Sequence, residues 1–288
     1  MSIDALQEKI RKLKCPIVLD LSVEAEHIPQ ALWESADEKA MTVYCKTLMS
    51  GLKGMIPAVR FSFDQFALMG ASGLETLRKL LREAHSLGYY VLLDGPAVNT
   101  TWAAKRAATI WEEESGLYCD GLIISSYIGS DVLKPFLPRC RADKSLFVIV
   151  RSPNKSAAEV QDLMTGTRLV HAAAADIVNR HGESILGKCG YSQIAAVTSA
   201  TNAASVSGLR SKYNRLFLLV DGLDYPGGNG KNASYGFDRF GHGCAVSVGP
   251  AITAAWKEKD TDGSDYVQQA VAAAERIRNN MSRYISIL

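Results

Sequence analysis

Aspartate, arginine and hydroxyl side chains recur in this chain at the ends of short apolar runs. Asp20 closes Ile17-Val-Leu, Arg60 lies inside Ala58–Phe63, and Asp94 follows Tyr90–Leu93. Ser125, Ser126 and Tyr127 follow Gly121–Ile124, and Arg151 with Ser152 follows Leu146–Val150. Ser199 and Thr201 follow Ile194–Val197, while Asp221 and then Asp224 follow Leu216–Val220. Carboxylates can move protons, hold hydroxyl groups or ligate a divalent cation, and a guanidinium supplies fixed hydrogen-bond donors. One aspartate after a strand has an ordinary explanation, since it commonly caps the next helix. Recurrence at run after run points instead to a small-molecule site. No spacing is specific for a metal, so neither a metal nor any other cofactor is assigned.

These residues need a frame. The runs Pro16–Leu21, Ala58–Phe63, Tyr90–Leu93, Gly121–Ile124, Leu146–Val150, Ile194–Val197, Leu216–Val220 and Cys244–Val248 are too short for helices. Most are too continuously apolar for a strand with one wet face, so they read as buried parallel strands. Helical patterns lie between them. Ser72 and Glu75 have capping-box spacing, Leu74, Leu77, Leu81, Ala84 and Leu87 make one face, and Gly88 is a stop signal. Val267, Ala270, Val271, Ala274, Ile277, Met281 and Ile285 stripe the last helix. Eight such alternations favour an α/β chain folded as one (β/α)8 TIM barrel over residues 1–288, with an N-terminal helix in 1–15. Strand C-terminal ends then share one face, where barrel sites are built. The acidic connection Leu21–Lys39 and the Gly-rich segment Asp221–Gly243 are long enough to matter there, the second either as a lid over the mouth or as a connector.

Composition removes several classes. The 288 residues are 47% apolar and 22% charged, and the net charge is 32 − 30 = +2. That balance gives no bulk reason to seek nucleic acid or an anionic membrane. No apolar run approaches the roughly 18 residues of a membrane span. Met1–Lys14 is a charged amphipathic stretch, unlike a targeting signal. Six scattered cysteines without a CxxC pair suit free thiols in a reducing cytoplasm. His27, His85, His171 and His181 lack ligand spacing and read as surface residues, while His242 lies nearer the last strand. Trp102 and Trp111 read as packing residues of one helix.

In order and spacing the chain resembles the orotidine 5′-phosphate decarboxylase family, in its longer bacterial group. The resemblance rests on Ile17-Val-Leu-Asp20, Gly70-Ala-Ser-Gly73 with Leu74-Glu75, and Leu92-Leu93-Asp94. It continues through Tyr127-Ile128-Gly129, Leu133-Lys134-Pro135-Phe136, Val148 to Asn154 with Gln161, and Ala200-Thr201. Gly222, Gly227-Gly228, Ala251-Ile252 and Ala255-Trp256 complete it. The resemblance implies a barrel of the ribulose-phosphate-binding type, cofactor-free decarboxylation in pyrimidine biosynthesis, and a dimer packed mouth to mouth. It implies catalytic positions at Arg60, Asp94 and Asn99. Together with the strand-end pattern it gives expected ligand contacts at Asp20, Thr100, Ser126, Tyr127, Arg151, Ser152, Asn154, Thr201, Asp221 and Asp224.

Several of those positions are substituted. The family's Lys–Asp–Lys–Asp array here reads Arg60, Asp94, Pro96 and Asn99. Aligning Asn99-Thr100 with the family's downstream Asn-Thr also leaves no lysine. Arginine does not release a proton in a protein, proline has no donor, and asparagine carries no charge. The family's phosphate-gripping Ser-Arg reads Gly249-Pro250, and its phosphate loop gains Asp221 and Asp224. The expectation is therefore a barrel with little decarboxylase activity, repurposed to bind a nucleotide-like, neutral or cationic small molecule or to regulate a partner. It would act as a homodimer or with a functional paralogue. The alternatives are a working decarboxylase helped by another group such as Lys231, and different chemistry on the aspartate cluster with Asp224 or His242.

Overall fold

A computed structural model of the chain describes residues 1–35, 39–125, 127–259 and 261–288. The eight apolar runs are strands: β1 Ile17–Asp20, β2 Ala58–Ser62, β3 Tyr90–Asp94, β4 Gly121–Ser125, β5 Ser145–Ile149, β6 Ile194–Ser199, β7 Leu218–Asp221 and β8 Cys244–Val248. Each pairs in parallel with its neighbours in sequence, and β1 pairs with β8, which closes the barrel. The TIM-barrel expectation therefore holds.

Side-chain alternation along each strand divides the core in two. Val18, Ala58, Tyr90, Leu92, Ile123, Phe147, Ala195, Val197, Leu219 and Ala245 fill the barrel interior. The intervening Ile17, Leu19, Val59, Phe61, Val91 and Leu93 pack against the outer helices. Gly121 faces inward because a Cβ there would come 2.6 Å from Leu92 and 2.8 Å from Phe147. The helix Ile3–Leu13 buries Ile3, Leu6 and Ile10 against the same interior cluster. It covers the N-terminal end of the barrel interior.

Several local expectations need correction. The helix Ala71–Ser86 buries Leu77, Leu81 and Ala84 and ends before Gly88 at φ +86°, as the pattern predicts. Its N-cap is Gly70, however, not Ser72. Ser72 lies inside the first turn and Glu75 pairs with Arg78 at 3.3 Å, so no capping box forms. Trp102 is 66% exposed on the helix Thr101–Ala107, whereas Trp111 is buried on the 3-10 turn that follows. His27 and His171 are buried rather than on the surface. A hairpin of Met164–Thr165 and Arg168–Leu169 lies between β5 and β6, where sequence periodicity shows no strand.

The segment 221–243 runs from the mouth end of β7 to the opposite end of β8, as a parallel connection must. It contains a five-residue helix, Gly230–Ser234, and buries Ala233 and Phe237. Its first residues stand at the mouth, and near its end Phe240 and His242 contact Leu288. Of the acidic connection 21–39, Asp37 and Glu38 lie outside the described residues.

Candidate functional site at the barrel mouth

The same alternation that puts Val18, Leu92 and Leu219 inside puts Asp20, Asp94 and Asp221 inside two residues later. Register aligns them: Asp20 stands opposite Arg60, Ser62 opposite Asp94, and Ser199 opposite Asp221. Arg60 rises from β2 into the middle of this ring. Its Nη2 donates to Asp94 Oδ2, and its Nη1 donates to Asp221 Oδ2 at 2.9 Å and to Ser247 Oγ at 3.3 Å. Asp20 Oδ2 is 3.4 Å from the same Nη1. Arg60 is 7% exposed, so these are charges largely withdrawn from water.

Charge balance follows from those distances. Burial alone would push the Arg60 guanidinium towards losing its proton, but Asp20, Asp221 and Asp94 outweigh it and hold the group well above its ordinary range. Burial pushes the Asp94 carboxyl up, Arg60 pulls it back, and Asp20 and Asp221 push it up again. Asp224 is also raised, by burial first, although the main-chain N–H groups of Gly249 and Ala251 bind it at 2.7 and 2.8 Å. One guanidinium among four carboxylates leaves a formal 1 − 4 = −3. Among the described residues no group of three or more His, Cys, Asp or Glu is arranged to hold a metal ion.

The structure separates the remaining candidates. Asn99 and Thr100 are exposed, and Thr100 accepts from Ala103 N as the cap of its helix. Neither joins the Arg60 cluster. Pro96 stands partly exposed two residues beyond Asp94 and offers no donor. Thr201 and Ser199 share a hydroxyl contact of 2.8 Å, and Tyr127 donates to the carbonyl of Val150. Asn154 is exposed, and Ser126 lies outside the described residues.

Arg151 forks onto both oxygens of Asp162 at 3.0 Å each and donates to the carbonyl of Ser152. Gln161 joins the same knot, accepting from Ser152 N at 2.8 Å and donating to Ser152 Oγ at 2.6 Å. His171 Nδ1 lies 3.1 Å from Asp162. Asp162 and His171 were not legible as partners, because an ion pair across an irregular loop has no periodic signature. His242 is likewise displaced from the mouth: it precedes β8 and its Nε2 lies 3.1 Å from the main-chain oxygen of Leu288. Lys231 is exposed and forms no ion pair with the four carboxylates.

A closed (β/α)8 barrel with an inward ring of carboxylates around one arginine is thus the class of protein that the geometry defines. No family model matches the chain. Among curated proteins it is 28% identical over 271 residues to orotidine 5′-phosphate decarboxylase of Rhodopirellula baltica, covering 88% of this chain and 89% of the relative. It is 26% identical over 302 residues to that of Caldicellulosiruptor bescii, covering 98% of each. Among solved structures it superimposes on OMP decarboxylase of Leishmania donovani with a TM-score of 0.73 at 23% identity, over 98% of this chain and 100% of that one. The Plasmodium berghei enzyme gives 0.78 at 14% identity over 98% of each. The resemblance read from the sequence is borne out: this chain is similar to orotidine 5′-phosphate decarboxylases along nearly its whole length.

Proposed function

We propose that the chain is a divergent member of the orotidine 5′-phosphate decarboxylase family that has lost most or all decarboxylation and keeps the barrel to bind a small molecule or regulate a partner. One observation carries this reading. The guanidinium at the mouth, Arg60, is committed to Asp94, Asp221 and Asp20, and Pro96 stands where the family resemblance places a proton-donating lysine. A reaction that places negative charge on carbon needs a fixed cation and a proton donor aimed at that atom; each such group is commonly worth ~3–4 kcal/mol of barrier. Here the cation is neutralised by its neighbours and the donor is absent.

The ligand in this reading is nucleoside-like and neutral or cationic, since the mouth carries excess carboxylate. Exposed Leu68, Met69, Trp102 and Ile128 stand on the connections after β2, β3 and β4 and support a mouth-to-mouth dimer, with a second copy or with a paralogue. A cytoplasmic setting fits six free cysteines, five of them buried, whose thiols burial pushes up, to about 12 for Cys45 and Cys119.

Two measurements test the reading. Calorimetric titration should show uridine binding at least as tightly as uridine 5′-phosphate; tight binding that depends on the phosphate would sink it. Expression in a pyrimidine auxotroph lacking its own decarboxylase should fail to restore growth.

A further inference from the structure

Every main-chain donor of the turn that follows β8 is already engaged. Gly249 N and Ala251 N donate to the two carboxylate oxygens of Asp224, at 2.7 and 2.8 Å. Ile252 N and Thr253 N both donate to the carbonyl of Gly249 at 2.9 Å, and Pro250 has no N–H. Among the described residues no lysine, arginine or histidine lies within ion-pair distance of Asp224, so these amides are what hold its charge. Asp20 closes the other side: a side chain on residue 249 would meet its Cβ at 3.4 Å.

We propose that Asp224 is a specificity-determining residue, an anion supplied by the chain itself that occupies the donors of the 249–251 turn and bars phosphate esters from the mouth. This rests on the reading of the mouth as a ligand site and adds which ligands it refuses. A phosphate entering here finds no free N–H on this turn and faces Asp20, Asp221 and Asp224 together. Repulsion between unit charges a few ångströms apart at a partly buried site outweighs what a single charge-assisted hydrogen bond returns. Asp224 thus does by intramolecular contact what a bound anion would otherwise do. It is local in sequence to β7 but satisfies a turn 25 residues further on, so its position alone does not show the role.

The test uses the full chain labelled with 15N and inorganic phosphate as the probe, followed through the amide resonances of Gly249 and Ala251. In the wild type these resonances should not move with phosphate, while in Asp224→Ala they should shift saturably, with affinity roughly tenfold or more above the wild type. Asp224→Asn, of the same size, removes the charge and replaces one of the two acceptor oxygens with an NH2 group, so one amide should still respond to phosphate should the alanine variant fold poorly. Movement of both amides in the wild type would overturn the proposal, as would their indifference to phosphate in both folded variants. Such a failure leaves the nucleoside titration unaffected, so the two readings fail separately.

Discussion

Arg60→Met should lose about 3–5 kcal/mol of stability in urea unfolding at neutral pH, the scale seen when one partner of a buried ion pair is removed. The size follows from what remains. Asp20, Asp94 and Asp221 all converge on the guanidinium, and their side chains are only 18, 29 and 19% exposed. Without it three carboxylates face one another with no cation between them. The deficit should shrink as pH falls. Burial first, and then Asp20 and Asp221, hold the Asp94 carboxyl above its ordinary value in the folded chain, so its folded value lies above the unfolded one. Such groups cost stability above their folded range and cost none once protonated below the unfolded range. Asp94, already pushed up by burial and by Asp20 and Asp221, should lead that recovery. Adding Asp94→Asn to Arg60→Met should restore part of the loss at neutral pH. An unchanged unfolding midpoint for Arg60→Met would show that the ring is not held by this residue.

Arg151→Met should be the second severe substitution, at about 3–5 kcal/mol by the same mechanism. The guanidinium is 6% exposed and forks onto both oxygens of Asp162, the geometry that makes an arginine–carboxylate pair strong. Removing it strands Asp162 and loosens Gln161, which bridges to Ser152. The segment beyond β5 should then open before the barrel does. Leu163 and Met164, both more than half exposed, offer a protease cutting after large apolar residues its first sites. Limited proteolysis should show faster cleavage there, and Arg151→Lys should not rescue it, because one ammonium cannot replace a planar fork. Equal digestion rates in the wild type and both variants would remove this pair from the account.

The barrel was legible because its signal repeats. Eight strands buried on both faces give eight apolar runs, and all eight appear in the structure at or within two residues of the expected positions. The ring of Asp20, Arg60, Asp94 and Asp221 was legible for the same reason, since strand-end residues of a parallel barrel share one face. What each charge does there was not. Arg60 binds partners 40, 34 and 161 positions away in the chain, and only closure of the barrel brings them together. Arg151 follows a strand, but its ion-pair partner Asp162 sits in an irregular loop that no periodicity marks. The Ser72 capping box failed because Gly70, with φ +73°, lets the chain enter the helix two residues earlier. The 164–169 hairpin has only two residues per strand, too few to alternate visibly.

In the proposed function, a barrel similar to the decarboxylases has a mouth that no longer performs their reaction. Decarboxylation of orotidine 5′-phosphate, followed by ultraviolet absorbance with micromolar wild-type protein, tests it most directly. With the cation neutralised and the donor missing, two effects of ~3–4 kcal/mol each, the account predicts a rate at least ~10⁴-fold below an intact site and no signal above the protein-free control. Sustained turnover of roughly one per second or faster, abolished by Asp94→Asn, would contradict it and show that the mouth supplies the missing charge and proton by another route.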